Sequence, residues 1–265
     1  MAHSIAELFP HDMRAFHEVF LGSGAVIGTL APARGFGSDV LKPLMQIWQQ
    51  LKTDPEVVKA WYASRRSDWS PETKIVNYER VRQSFNTAPN GADLLYLSRT
   101  CYGGVVRFRK ADGHMSTPCG AHAPMSAEKF AVRVDEWARR THGTTFSTID
   151  FRQAIERAEV GDVVYCDPPY SDSQSILYGA QTFDLRDLVL AIDRAKTRGV
   201  RVALSIDGSK KSGLQTVLHD FPEHLFEAEV AITVGRSMLR RFQMRGQSLE
   251  SEVVKDRLLL TYSET

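Results

Sequence analysis

One stretch constrains the fold more than any other: an apolar strand over Val163–Cys166 runs directly into Asp167-Pro168-Pro169-Tyr170. Neither proline has an N–H to donate to a sheet, and each disfavours helix at the residue before it, so the chain leaves the sheet extended and stiff. The Asp167 carboxylate, the proline carbonyls and the Tyr170 ring are thereby held in a fixed relation. This arrangement suits a planar heterocycle with an amino group, which donates to the oxygens while the ring stacks on the tyrosine. The alternative, an ordinary turn that ends a strand, stays open at this point.

The composition is that of an ordinary globular chain with little net charge. The 265 residues are 43% hydrophobic and 25% charged, with 33 basic and 32 acidic residues and a net charge of +1. That length allows one large α/β domain or a domain with an inserted module, and a polyanion must be met by a local basic patch. The three cysteines lack metal-ligand spacing, and the sequence shows neither a signal peptide nor a membrane-spanning run. We therefore predict reduced thiols, no metal, no membrane partner and a cytoplasmic location.

A glycine-rich loop follows the first predicted strand. The strand runs into Phe20-Leu21-Gly22-Ser23-Gly24 and then into small apolar residues that start a helix. Glycines in such a loop let backbone N–H groups approach a ligand closely while the helix N-terminus faces it. A second predicted strand, Gly35–Ser38, ends at Asp39, where nucleoside-binding α/β folds place a carboxylate against ribose hydroxyls. A plain turn at the glycines and a helix cap at Asp39 are the alternatives.

A predicted helical segment separates these two strands from the rest of the sheet. Apolar residues at intervals of three and four predict a helix from Leu41 with Trp48 in the core. Asp54-Pro55 and Ser70-Pro71 each predict the start of a further helix, and a fourth is predicted over residues 92–100. These helices indicate a module inserted into the α/β domain.

A basic and aromatic run follows the helical segment. Residues 103–110 lead to Asp112-Gly113, which is a hairpin signal. Basic residues interleaved with aromatic ones are what a surface needs to contact phosphates and stack on bases. A solvated hairpin has a similar sequence, so that alternative also stays open. The candidate DNA-binding residues are Arg99, Tyr102, Arg107, Phe108, Arg109 and Lys110.

Strands and helices then alternate, which predicts a parallel sheet. A helix from Ser126 precedes a strand that ends near Asp150-Phe151, and the apolar strand with the proline pair comes next. Residues 171–182 are polar and without periodicity, so we predict a mobile loop over the site. A helix capped by Asp184, a buried strand and two late strands complete the sheet. The late strands flank Arg240 and Arg241, a second candidate phosphate surface.

The ordered set of pieces resembles the Dam-type DNA adenine N6-methyltransferases over nearly the whole chain. Three stretches carry the resemblance: the glycine loop at residues 20–24, the run at residues 96–108, and Asp167-Pro168-Pro169-Tyr170. The resemblance implies a doubly wound, Rossmann-like methyltransferase sheet with an inserted helical target-recognition module. The implied division is a first catalytic part over residues 1–53, the module over 54–125 and a second catalytic part over 126–265.

The same resemblance implies a reaction and a set of site residues. It implies a site-specific DNA methyltransferase that moves a methyl group from S-adenosylmethionine to N6 of an adenine flipped out of double-stranded DNA, with a possible companion restriction enzyme. Asp167, Pro168, Pro169 and Tyr170 are the implied catalytic residues, with Tyr170 stacked on the target base. The implied cofactor-binding residues are Phe20, Gly22, Gly24, Asp39 at the ribose, Asp150 and Phe151 at the adenine, and Asp167.

Several departures and alternatives qualify this interpretation. The family has a Gly-Gly-Lys segment ahead of the first strand, and this sequence begins too late to contain it, so we expect either a truncated start or a different hold on the methionine end of the cofactor. Gly103 and Cys119 replace a usual asparagine and phenylalanine, which affects target choice more than chemistry. The alternatives are the same fold acting on cytosine N4, an RNA base or a protein amide, and a catalytically silent DNA-binding relative.

Overall fold

The computed structural model describes residues 1–169, 183–207, 209–210, 215–216, 221–235 and 254–263. Its strands are β1 (Phe16–Glu18), β2 (Gly35–Ser38), β3 (Thr144–Ser147), β4 (Val163–Cys166), β5 (Arg201–Asp207), β6 (Ser209–Lys210), β7 (Gln215–Thr216), β8 (Ala228–Gly235) and β9 (Val254–Leu260). Seven of them form one sheet in the order β3-β2-β1-β4-β5-β9-β8, and β6 pairs with β7. Strands β1 to β5 run parallel, whereas β9 is antiparallel to both of its neighbours.

The helices cover both faces of this sheet. They are α1 (Ala2–Ala6), α2 (Ala25–Leu30), α3 (Lys42–Thr53), α4 (Pro55–Arg66), α5 (Lys74–Thr87), α6 (Gly91–Thr100), α7 (Ala127–Arg140), α8 (Phe151–Glu156) and α9 (Leu185–Thr197). The mixed α/β fold with its mostly parallel sheet confirms the predicted fold class.

The central strand β4 shows why the sheet is covered on both sides. Val163 and Tyr165 belong to the hydrophobic cluster on one face, and Val164 and Cys166 belong to the cluster on the other. Successive side chains of a strand point to opposite faces, so a strand that is apolar at every position needs two covered faces. The continuous apolar run seen in the sequence is thus the mark of a central parallel strand.

The helical segment packs as part of the same hydrophobic core. Helix α6 packs against both α4 and α5, and α4 also packs along α7. The Tyr62 hydroxyl donates to the Met125 carbonyl at 2.8 Å, and its ring stacks on Phe130. These contacts join the segment to α7 and its neighbourhood, so within the described residues no break in packing marks the ends of the predicted module. Its boundaries at residues 54 and 125 therefore stay a prediction.

The start of α5 differs from its prediction, and the predicted loop over the site cannot be compared with the structure. The proline at residue 71 was expected to begin a helix, but α5 begins at Lys74. Ser70 and Thr73 exchange hydrogen bonds of 2.8 and 3.1 Å across a turn, and this closed turn occupies the residues before the helix. The loop predicted over the site at residues 171–182 lies outside the described residues. None of the helices in the described ranges is long and apolar enough to cross a membrane.

Candidate active site

The carboxyl ends of the parallel strands meet at one edge of the sheet, and acidic residues follow four of them. Glu18 ends β1, Asp39 follows β2, Asp150 follows β3 and Asp167 follows β4. All four line one cavity of about 760 Å³. Ligands of open α/β sheets bind at this edge, so the fold brings the predicted site residues together at the expected place. Among the described residues, no group of three or more histidine, cysteine or acidic side chains could hold a metal ion.

The glycine loop between β1 and α2 is held from both sides. Gly22 and Gly24 have φ of 45° and 61°, a left-handed conformation that glycine adopts without steric cost. The Leu21 N–H donates to the Ser38 carbonyl at 2.9 Å, and the Trp48 indole N–H donates to the Gly22 carbonyl at 3.2 Å. Gly22 lines the cavity, whereas Gly24 packs beneath the Trp48 ring. Trp48 is therefore a core residue, as predicted, and it also fixes the loop.

Asp39 connects the loop to the next helix. One of its carboxylate oxygens accepts the Gly22 N–H at 3.2 Å, and the other accepts the Leu41 N–H at 3.0 Å. Burial raises the pKa of this carboxyl, while the N–H donors act in the opposite direction. The bond to Leu41 at the start of α3 resembles the helix cap that was one alternative for Asp39. The same carboxylate nevertheless borders the cavity, so the alternative of ribose binding remains compatible with its position.

Glu18 is a site residue that the sequence analysis missed. It is buried, and its carboxylate accepts the Ile27 N–H at 2.7 Å, so it caps helix α2, whose own cap residue, Gly24, has no side chain. Burial, with a smaller contribution from the negative charge of Asp167, raises the pKa of Glu18 to about 8. A signal was available in the sequence, because Glu18 is an acid at a strand end, like Asp39 and Asp167.

Asp167 is the acid most open to the cavity. Its side chain is exposed, although it follows Cys166, which is fully buried. Burial, and next the charge of Asp167, raises the pKa of the Cys166 thiol and of the neighbouring Tyr165 phenol. Pro168 and Pro169 also line the cavity. The predicted stacking residue Tyr170 lies outside the described residues.

Three aromatic rings form one wall of the site. Phe20 stacks on Phe151 with ring centroids 5.3 Å apart, and Phe183 meets Phe20 edge-on at 5.7 Å. These three rings line the cavity. The Asp150 carboxylate instead pairs with Arg152, whose guanidinium donates a hydrogen bond of 3.0 Å to each carboxylate oxygen. Phe151 is buried, with Phe20 stacked on its ring and the Arg152 guanidinium 4.6 Å from its centroid. Asp150 is an ion-paired residue of the cavity wall.

Two arginines of the helical side also line the cavity. The Arg99 guanidinium carbon lies 5.2 Å from the centroid of the Phe130 ring. The second arginine is Arg133, which lies one helical turn after Phe130 in α7. Within the described parts of the chain neither has a carboxylate partner within ion-pair distance. Arg99 was a predicted DNA-binding residue, whereas Arg133 was missed because nothing in the sequence of α7 distinguishes it from the other basic residues of that helix.

The predicted DNA-binding run is divided between surface and core. Tyr102 is 44% exposed and Arg107 and Lys110 are exposed, but Phe108 is 6% exposed and packs near Phe85. The expectation that Phe108 contacts bases is thus wrong for this conformation, because a strand alternates its side chains and Phe108 points inward between two outward basic residues.

Arg109 differs from the other basic residues of the run. Its guanidinium pairs with Asp112 and lies 3.2 Å from a His114 ring nitrogen. Arg109 is therefore already part of an ion pair, whereas the Arg107 guanidinium has no carboxylate within ion-pair distance in the described hairpin. The second predicted surface, Arg240 and Arg241, lies outside the described residues.

Comparison with known proteins gives one consistent result. Residues 1–226 match the family model of the D12 class N6 adenine-specific DNA methyltransferases. The chain is 28% identical over 226 residues to the retron Ec67 DNA adenine methylase of Escherichia coli, an alignment that covers 82% of this chain and 76% of the relative. It is 26% identical over 211 residues to a DNA adenine methylase of Vibrio cholerae, covering 73% of each chain. It is also 25% identical over 236 residues to the Type II methyltransferase M1.LlaDCHI of Lactococcus lactis subsp. cremoris, covering 84% of this chain and 82% of the relative.

Proposed function

Because the chain belongs to the D12 class N6 adenine-specific DNA methyltransferases, we propose that it transfers a methyl group from S-adenosylmethionine to N6 of an adenine that has left the duplex. Family membership makes the chain an adenine-specific DNA methyltransferase, with DNA as its substrate. The proposal adds the donor, the flipped base and the roles of individual residues. The observation that carries it is the single cavity that Gly22, Asp39 and Asp167 line together.

The donor chemistry fits the residues around the glycine loop. A carboxylate has about four lone-pair positions, and Asp39 uses one on each oxygen for a backbone N–H, so capacity for ribose hydroxyls remains. The stacked rings of Phe20 and Phe151 supply an apolar wall for an adenine, and the acids at the sheet edge suit a group with positive charge. When bound, S-adenosylmethionine supplies an electrophilic methyl group. The close approach that Gly22 permits at the cavity wall, together with the Asp39 carboxylate, holds and orients this cofactor.

Asp167 acts on the amino group of the target. Its exposed carboxylate accepts one amino hydrogen in a charge-assisted hydrogen bond, and the Pro168 carbonyl accepts the other. Acceptors that hold both hydrogens withdraw the nitrogen lone pair from the ring and direct it at the methyl group. Two prolines fix the backbone here, so little reorganisation is needed when the base arrives. Tyr170, the next residue, is assigned to stacking on the base.

The helical side of the cavity receives the DNA. The N6 amino group is paired inside a duplex, so the base must leave the stack at a cost of a few kcal/mol. Stacking of a base on an aromatic ring returns roughly 1–3 kcal/mol. Arg99, Tyr102, Arg107 and Lys110 are assigned to the DNA surface, where phosphate contacts hold the strand while the base is out. A companion restriction enzyme and a cytoplasmic location, where the DNA lies, complete the proposal.

One assay tests the proposal. Purified protein is incubated with isotopically methyl-labelled S-adenosylmethionine and DNA from a host without adenine methylation, and the digested nucleosides are identified by mass spectrometry. Labelled N6-methyladenine in DNA is the expected product. Labelled N4-methylcytosine, or label only in an RNA or protein acceptor, would overturn the assignment of the acceptor. Methylation that proceeds without added S-adenosylmethionine would overturn the assignment of the donor.

A further inference from the structure

Two of the three cysteines face each other across a pair of antiparallel segments. Cys101 and Cys119 form an isolated antiparallel β-bridge. The flanking residues make its hydrogen bonds: the Tyr102 N–H donates to the Pro118 carbonyl, and the Gly120 N–H donates to the Thr100 carbonyl, each at 2.8 Å. The cysteines thus occupy a non-hydrogen-bonded position, where opposed Cα atoms are about 4.5 Å apart. A disulfide requires Cα atoms about 4.4–6.8 Å apart, so the backbone already has a compatible spacing.

The thiols themselves are free and directed at separate backbone acceptors. The Cys101 Sγ lies 3.8 Å from the Ser98 carbonyl, and the Cys119 Sγ lies 3.6 Å from the Gly120 carbonyl. Opposed side chains of an antiparallel pair stand on the same face, so rotation about the Cα–Cβ bonds can bring the two sulfurs together. We propose that Cys101 and Cys119 form an oxidation site that closes into a cross-strand disulfide when the protein meets a peroxide.

The reaction balances with hydrogen peroxide as the oxidant. Cys119 is half-buried and Cys101 is buried, so the Cys119 thiolate is the first to attack. It takes one peroxide oxygen to give a sulfenic acid as the O–O bond breaks and one water leaves. The Cys101 sulfur then attacks the Cys119 sulfur, the S–O bond breaks and a second water leaves. Two thiols lose two hydrogens, and one peroxide becomes two waters.

The surroundings make this oxidation slow at neutral pH. Burial raises the pKa of Cys101 to about 11 and also raises the pKa of Cys119, so few thiolates are present. The titratable or charged groups that interact with the pair are Tyr78, Tyr96, Lys74, Glu79 and Arg107. The rate should therefore rise about tenfold for each pH unit between neutral pH and pH 9, because the thiolate fraction rises by that factor.

The cross-link would hold together segments that are already paired. It would join the start of the run that carries Tyr102 and Arg107 to the segment at Pro118. Because the native pairing is retained, the disulfide mainly restricts the unfolded chain, and it should raise the melting temperature by roughly 4–10 °C.

The experiment compares the full chain with three single variants after peroxide treatment. Peptide mapping under non-reducing conditions should show one linked pair, Cys101 with Cys119, and thermal unfolding should show a higher melting temperature that a reductant reverses. Both signals should vanish in Cys101→Ser and in Cys119→Ser. They should persist in Cys166→Ser, the matched control, because Cys166 is fully buried elsewhere.

Three outcomes would overturn the proposal. The first is the absence of an intramolecular link at pH 9. The second is a link that involves Cys166 or a second molecule. The third is a linked protein with an unchanged or lower melting temperature, which would mean that the pairing is broken rather than held. A serine variant that fails to fold does not rescue the idea, because the mapping of the unsubstituted chain decides it alone.

Discussion

Gly24→Ala should lower the free energy of unfolding, because a side chain at this position is unfavourable for two independent reasons. The residue has a φ of 61°, and a Cβ there would lie 2.8 Å from two carbons of the Trp48 ring. A left-handed conformation costs a residue with a side chain about 1–2 kcal/mol. Overpacking costs about 1–3 kcal/mol more, since the Trp48 ring is stacked on Phe146 and cannot retreat freely. The expected loss in the free energy of unfolding is about 2–5 kcal/mol.

Gly22 has a similar backbone conformation but different surroundings. Its φ is 45°, and the nearest atom to a Cβ would be the Phe20 carbonyl oxygen at 3.9 Å. Gly22→Ala should therefore lose only about 1–2 kcal/mol of folding free energy. Because Gly22 lines the cavity, its new methyl group would enter the space assigned to the donor. We expect the affinity for S-adenosylmethionine to fall roughly tenfold, about 1.4 kcal/mol.

The assay separates these two effects. Urea unfolding gives the stability of each variant, and calorimetric titration gives its donor affinity. Gly113→Ala is the matched control: it has a φ of 70° in the hairpin and no atom within 4 Å of a Cβ, so it reports the conformational cost alone. Equal stabilities for the Gly24 and Gly113 variants would refute packing by Trp48. Parent-like donor affinity in a folded Gly22→Ala protein would refute a donor-binding role for the loop.

Four further predictions concern the acids, the loop and the DNA surface. Asp167→Asn should lower the methylation rate at least about 100-fold with the fold intact, measured by label transfer to DNA; a near-parent rate would remove Asp167 from the mechanism. Glu18→Gln should reduce the pH dependence of the free energy of unfolding. In the folded parent the pKa of Glu18 is about 8, above its ordinary value of 4.5, so the parent loses stability as pH rises from 4.5 to 8. An equally steep loss of stability with pH in the variant would contradict this. Trp48→Phe should weaken donor binding through the lost bond to the Gly22 carbonyl, seen by calorimetry, and unchanged affinity would exclude that route. Arg107→Ala should lower by about one the slope of the logarithm of DNA affinity against the logarithm of salt concentration. Arg109→Ala should lower this slope less, because Arg109 is already ion-paired with Asp112, and a larger effect of Arg109→Ala would show that the hairpin rearranges on DNA.

The sheet edge could be predicted from the sequence because the information there is local. Asp39, Asp150 and Asp167 each follow a predicted strand, and parallel strands bring such positions together whatever the loops do. Helix starts could also be predicted where the capping residue is adjacent to the helix, as at Asp54, whose side chain accepts the Glu56 N–H at 3.0 Å. The start of α5 could not be predicted from Pro71, because the turn before the helix is closed by hydrogen bonds between Ser70 and Thr73.

Two other features escaped prediction because they depend on contacts between residues that are far apart in the sequence. The cap that Glu18 gives to α2 and the packing of Trp48 on Gly24 each join residues that no local pattern connects. Phe108 is the opposite case, since period-two alternation over residues 107–109 was visible and would have assigned its ring to the core. Interleaved basic and aromatic residues should therefore be divided by strand face before any of them is assigned to bases.

The charges around the cavity also fit the two partners proposed for this nearly neutral protein, a cationic methyl donor and DNA. The carboxylates of Asp39 and Asp167 lie at the sheet edge, and the guanidinium groups of Arg99 and Arg133 line the helical side. Over a few ångströms these local charges outweigh a net charge of only +1, because interactions between exposed charges are screened beyond about 8–10 Å. The proposed cationic donor should therefore be attracted to the sheet edge and a phosphate backbone to the helical side. Neither partner gains from occupying the other's position, so charge alone favours the orientation in which the amino group of the base faces Asp167.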